Sequence, residues 1–291
     1  MLTLQFILNG IMTGSMYGLT GLAIVIIFKS TKVFNFAVGS LLTLGGLICL
    51  SLLVRLNLSL WLALPLALGL SGIIGALVER LALRPLLSQP ILTLIMATLF
   101  VDSILQGFIF MVWTTYTHTF PLDAIPGETI HLGRLFISPE SFYGFVIAFL
   151  CFAFIGLFFK KTQTGLKMRT TAENQDVAMA LGVNISIIFA LTWIIAVMVG
   201  TLAGVLLGNQ ISLQANMTPA LAFRAVPGVI LGGLDSMAGA VVGGIVVGVL
   251  EQLAGGILGS EYAEVTPYLI LLLALFIRPE GLFGTKRIER V

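Results

Sequence analysis

The sequence is too poor in charge to cover a water-facing surface. Asp, Glu, Lys and Arg make up 10% of its 291 residues, against about 25% in soluble domains. A soluble domain is therefore excluded, and a net charge of +2 gives no indication of nucleic acid as a partner. Cysteine is nearly absent as well. Cys49 and Cys151 each sit inside an apolar run, which excludes a disulfide framework or thiolate metal site and leaves small packing residues. The two histidines, His118 and His131, share one polar loop and are too few to ligate a metal. No Gly-x-x-x-x-Gly-Lys-Ser/Thr loop, His-Glu-x-x-His pair or Gly-x-Ser-x-Gly elbow occurs. Neither catalysis by this chain nor a resident cofactor is expected.

What the sequence does have is long apolar runs. They fall at 5–28, 34–54, 60–78, 91–113, 141–159, 186–208, 223–256 and 264–278. Most match the roughly 17–25 residues of a spanning helix and lack the alternation of barrel strands. The first is too long for a signal-peptide core and has no basic flank before it, so it reads as a retained span. The expectation is an all-α, polytopic membrane protein of one domain (1–291), with about seven to eight transmembrane helices in contact with lipid.

The run 223–256 departs from this pattern. It is too long for one helix and is punctuated by Pro227, Gly228, Gly232, Gly233, Asp235 and Ser236, the residue types that break helices. The pattern predicts a re-entrant, Gly-rich hairpin turning at Leu234-Asp235-Ser236-Met237 and lying near a translocation path, because irregular backbone at membrane depth needs protein or a water-filled cavity around it. Basic residues agree with this reading, since they accumulate on the cytoplasmic side. With the N-terminus outside and the hairpin entering and leaving on one face, all 15 Lys and Arg except Arg55, Arg134 and Arg224 fall inside. Loops 114–140 and 209–222 then lie outside, the first as a periplasmic loop long enough to dock a soluble partner.

Glycines recur every four residues at Gly10, Gly14 and Gly18, at Gly200, Gly204 and Gly208, and through 228–248. That spacing lets helix backbones approach closely, either within one subunit or between subunits. Ionisable groups inside spans are candidates for function. Asp102 lies midway along 91–113 with Gln106 one turn later. The pair either lines a solute path or forms an interhelical hydrogen bond. Asn35, Gly232, Gly233 and Asp235 complete the candidate path residues. Glu251 reads as packing near the outer interface.

One polar segment, 164–184, interrupts this apolar chain. Helix formers dominate Ala172 to Leu181, and Gly165 and Gly182 bracket the stretch as start and stop signals. Arg169, Glu173, Asn174, Gln175 and Asp176 are interleaved with Met168, Ala172, Val177, Ala178 and Leu181. The segment is too small-sided and too mixed in charge for a lipid-surface helix. It fits a helix docked on a protein.

Four stretches, in order, resemble the permease subunits of branched-chain amino acid ABC importers, the Liv-type permeases. They are Asn9-Gly10 with Gly14-Ser15-Met16-Tyr17 and Phe34-Asn35-Phe36-Ala37; Thr164-Gly165 through Gly182-Val183-Asn184; Leu231-Gly232-Gly233 through Gly239-Ala240 to Glu251; and Arg278-Pro279-Glu280-Gly281-Leu282-Phe283-Gly284. The resemblance implies half of a translocation pathway in a bacterial inner (plasma) membrane. It implies a second permease subunit in a heterodimer, two ABC ATPase subunits and a periplasmic solute-binding protein as partners. It makes 164–184 the coupling segment, with Gly165, Arg169, Ala172, Glu173, Asn174, Ala178, Leu181 and Gly182 as ATPase-coupling residues. Related permeases carry urea, short amides or aromatic acids. From a different class, an ion-coupled transporter using Asp102 is the competing reading.

Overall fold

The computed structural model describes residues 2–86, 89–121, 128–132, 135–214 and 218–284. Asp123, Pro126 and Arg134 of the long loop, and Lys286, Arg287 and Arg290 of the tail, lie outside them. The described residues form helices α1 (Leu2–Thr31), α2 (Val38–Arg55), α3 (Leu60–Val78), α4 (Ile91–Trp113), α5 (Pro139–Lys161), α6 (Gln163–Glu173), α7 (Gln175–Ala180), α8 (Ile185–Ile211), α9 (Thr218–Gly232), α10 (Met237–Ile257) and α11 (Ser260–Ile277). A helix is the form in which an apolar segment satisfies all its backbone groups internally. Eight of these helices are long and apolar enough to cross a membrane, and the protein is an all-α, multi-pass membrane protein. One small antiparallel hairpin, β1 (Ile130–Leu132) with β2 (Leu135–Ile137), was not legible in the sequence.

α1 is the axis of the molecule. At 30 residues it is about 45 Å long, more than the ~30 Å hydrocarbon core. Its most apolar window is 89% buried, whereas that of α11 is 11% buried. A helix apolar on every side is stable in this central position because neighbours cover every face. α4, α5 and α11 instead expose large side chains such as Phe100, Phe154 and Phe276, the surface a lipid-facing helix presents.

The glycine stripes seat these contacts within the chain. A Cβ at Gly14 would stand 2.7 Å from the Gly244 carbonyl oxygen, and one at Gly248 would stand 2.4 Å from Gly14 Cα. α1 and α10 therefore meet backbone to backbone. Gly204 packs against Leu42 in the same manner, locking α8 to α2. Of the two uses open to a four-residue glycine spacing, these stripes serve packing inside one subunit.

The run 223–256 divides between α9 and α10, with the turn at Leu234 and Asp235. Gly232 and Gly239 touch through their backbones, which pinches the hairpin shut. The 15 residues of α9 give about 22 Å, less than the hydrocarbon core. The tip nevertheless reaches the basic end of α1. Leu234 and Asp235 share a cavity of about 320 Å³ with Phe28, Lys32 and Glu280. The Arg278–Gly284 segment docks on that tip through Leu282 N–H to Leu231 O (2.8 Å) and Phe283 N–H to Gly232 O (2.9 Å). Gly233 (φ +109°) and Gly281 (φ +81°) supply the left-handed backbone this approach requires.

Candidate functional site

At the basic end of α1, the polar segment forms an elbow of two helices rather than the single helix its composition suggested. Its start is set by Thr162, whose hydroxyl accepts from Gly165 N–H (3.0 Å). Gly165 is not a start signal. It lies inside α6, where a Cβ would sit 2.5 Å from Phe158 O and 2.6 Å from Phe159 Cα. Only glycine lets α6 fold back onto the last turn of α5. Asn174 makes the break: its side chain accepts from Val177 N–H (3.1 Å), so it ends α6 and caps α7. This is the local backbone competition that makes Asn a poor helix interior and a good cap. Gly182, at φ +77°, stops α7 as expected, and Asn184 caps α8 through Ile187 N–H (3.3 Å).

The elbow divides its side chains sharply. Met168, Thr171 and Ala178 are buried against the bundle. Arg169, Glu173 and Asn174 are exposed, with Ala172 half-buried. Leu166, Val177, Met179 and Leu181 are 51%, 50%, 54% and 70% exposed, although α7 sits in the most polar part of the chain. Exposed apolar side chains interleaved with charge are the chemistry of a protein-docking surface.

An ion pair between a buried carboxylate and a half-exposed guanidinium braces this end. The π-helical turn Glu79–Leu83 after α3 buries the Glu79 carboxylate. Arg84 grips it with two N–H donors (3.2 and 3.1 Å) and donates to Ser186 O (3.2 Å) in the first turn of α8. The last turn of α3 is thereby tied to the helix that follows the elbow. Sequence reading missed this pair. Its signal was an ionisable residue, Glu79, at the edge of an apolar run with Arg84 five residues on.

The six path candidates separate into two groups. Asn35 and Asp102 line one cavity of about 170 Å³, closed by Phe223 and Val226 of α9. Asp102 accepts from Ser40 Oγ on α2 and from Gln106 Nε2 (2.7 Å), so it forms an interhelical hydrogen bond and also faces the cavity. Asn35 Oδ1 accepts from Ala37 N–H (3.0 Å), holding the break between α1 and α2. Its buried Nδ2 has no partner among the described residues. Asn35 also lines a smaller cavity (about 50 Å³) whose wall includes Glu79 and Gln175 of α7. Gly232, Gly233 and Asp235 form the second group, at the hairpin tip beside Lys32 and Glu280, away from Asp102.

A cavity of about 690 Å³ lies at the opposite end of α1. Gln5, Asn9, Thr13 and Tyr17 form one wall, a polar stripe at four-residue spacing on α1. The others are the start of α5, the end of α8, Arg224 and Glu251. Gln5 exchanges hydrogen bonds with the Phe136 backbone (2.6 and 2.9 Å), joining α1 to β2. At the floor, Tyr17 Oη donates to Glu251 Oε1 (3.2 Å) and Arg224 Nη1 donates to the same oxygen (3.3 Å). Glu251, read from sequence as packing, is instead the buried acid of a polar chamber. The stripe runs one residue ahead of Gly10, Gly14 and Gly18, whose spacing masked it. His118 sits near this end, its backbone paired with Leu213 (2.8 Å in each direction).

A family model described as branched-chain amino acid transport system / permease component matches residues 6–275. The chain is similar to the high-affinity branched-chain amino acid transport system permease protein BraD of Pseudomonas aeruginosa, at 28% identity over 99% of this chain and 98% of that protein. It is also similar to the probable branched-chain amino acid transport permease protein LivH of Methanocaldococcus jannaschii (30%, 99% and 95%) and to LivH of Escherichia coli (25%, 99% and 97%). Two solved structures share the fold. PsaBC from Streptococcus pneumoniae in complex with Fab has a TM-score of 0.52 at 13% identity, over 94% of this chain and 92% of that one. An inward-facing conformation of a putative metal-chelate type ABC transporter also has 0.52, at 15% identity, over 94% and 86%.

Proposed function

The chain belongs to the permease components of branched-chain amino acid transport systems, and from that premise we propose that it forms half of the pathway of an ABC importer for branched-chain amino acids. In this reading it sits in a bacterial plasma membrane, pairs with a second permease, and receives solute from a periplasmic binding protein at the chamber end. Two ATPase subunits bind the cytoplasmic elbows of the permease pair, in this chain α6–α7. The observation that carries the proposal is the elbow itself, where apolar side chains stand exposed beside Arg169 and Glu173 in a chain without a nucleotide loop.

Uphill import requires a coupled energy source, and a partner shifts a conformational equilibrium only through unequal affinity for its states. The elbow suits that role because it is covalently continuous with α5 and α8 and braced to α3 through Arg84. Asn35 and Asp102 are the proposed polar points of the solute route. The α9–α10 hairpin is the proposed moving wall, reaching from the outer end to the elbow's end.

The test is the reconstituted complex with Arg169→Ala and Glu173→Ala combined. Solute-stimulated ATPase activity is expected to be abolished while the subunits still copurify. Undiminished stimulation would sink the coupling role.

A further inference from the structure

Glu251 is 5% exposed, yet only one of its carboxylate oxygens is engaged. Oε1 takes both Tyr17 Oη and Arg224 Nη1, while Oε2 is buried with no hydrogen-bond partner among the described residues. Burying a carboxylate oxygen without a donor is costly, and the residue that carries it lines a cavity of about 690 Å³, within the size range of small-molecule sites. Arg224 is also incompletely committed. Its Nη2 donates to Glu264 (3.4 Å), a residue whose side chain is 76% exposed and which water or another carboxylate can replace at little cost.

A buried anionic acceptor without a donor therefore lies beside a guanidinium whose second partner is exchangeable. The two charges are held 3.3 Å apart, much as the ammonium and carboxylate of an α-amino acid are fixed on neighbouring atoms. We propose that this pair is a binding site for the head group of a zwitterionic α-amino acid, its ammonium donating to Glu251 Oε2 and its carboxylate displacing Glu264 from Arg224. The inference rests on the importer reading and deepens it, placing the first contact with the solute inside the permease. The remaining wall is mostly amide and hydroxyl, including Asn9, Thr13 and Gln210. The site grips the head group and tolerates different side chains, leaving side-chain selection to another protein.

The experiment uses the complete transporter in nanodiscs, without binding protein, and radiolabelled leucine at millimolar concentration. Saturable binding is expected, displaced within a few-fold by alanine or norvaline. 4-Methylpentanoate, which lacks the ammonium, and isopentylamine, which lacks the carboxylate, are expected to be at least tenfold weaker. Glu251→Gln is expected to weaken leucine binding at least tenfold while copurification with the ATPase subunits is unchanged. Competition on the unmodified protein keeps the test valid if that variant does not fold. Equal competition by either single-charge analogue, or unchanged affinity in a folded Glu251→Gln protein, overturns the site. If no zwitterion binds while ATP-driven leucine uptake proceeds, the site falls and the importer reading stands. If leucine does not bind but another zwitterion does, with the same two-charge requirement, the site stands and the substrate assignment falls.

Discussion

The two ends of α1 solve opposite problems. At the chamber end, polar groups face inward: Gln5, Asn9, Thr13 and Tyr17 turn toward an open cavity lined also by Arg224 and Glu251. At the elbow end the arrangement is inverted, with charged Arg169 and Glu173 and apolar Leu166, Val177, Met179 and Leu181 turned outward. A polar chamber open to its surroundings suits a small hydrated solute, which exchanges water for fixed hydrogen bonds. An exposed mixed surface suits a protein, which supplies enough apolar area to offset the ordering cost of association. One continuous buried helix joins the two, so a displacement at either end is delivered to the other through a rigid element rather than a loop.

The sharpest way to break this comparison is to make the elbow polar like the chamber. Val177→Asp with Leu181→Asp places two charges among the exposed apolar side chains, at positions 50% and 70% exposed. Copurification of the ATPase subunits is expected to fall more than tenfold, while thermal stability of the isolated permease changes by less than about 0.5 kcal/mol, as for exposed positions generally. Retained copurification would remove the elbow from the coupling interface.

Next in size is the brace beneath the elbow. Arg84→Ala leaves the buried Glu79 carboxylate without its donors and is expected to cost about 1–3 kcal/mol, less than for a fully buried pair because Arg84 is 37% exposed, read as a lowered unfolding transition, with Arg84→Lys recovering part of it. A transition shifted by less than about 1 kcal/mol would show that the pair is solvated. At the hairpin tip, Gly232→Ala drives a methyl to within 1.9 Å of Gly239 O and is expected to cost about 1–3 kcal/mol. The smallest effect belongs to the middle of the molecule. Ser40→Ala removes one donor from Asp102 and leaves Gln106 in place, an expected loss of about 1 kcal/mol in the same assay.

Much of the architecture was readable because lipid imposes a length rule on helices. The apolar runs, the hairpin turn at Leu234-Asp235 and the stop at Gly182 follow from hydropathy and from glycine's access to left-handed backbone. The elbow's existence was legible, but its break was not. Asn174 looks like one polar residue among several until its side chain is seen taking Val177 N–H. Gly165 misled for a related reason. Glycine marks a helix end and a close backbone approach equally well, and only the position of Phe158 and Phe159 distinguishes them. The chamber stayed hidden because its residues come from five helices, and the stripe on α1 lies one position from a glycine stripe of identical period. Asp102 was found with its helix partner Gln106 but not with Ser40, since nothing in sequence pairs it with a residue across two helices.

The central claim is that work enters at the elbow end and solute at the chamber end. It is tested most directly by leucine uptake into proteoliposomes holding the complete transporter, with binding protein outside and the nucleotide and proton gradients controlled separately. The account expects accumulation above the external concentration when ATP is supplied and the proton gradient is collapsed, and none when a proton gradient acts without ATP. Accumulation driven by the proton gradient alone would contradict it.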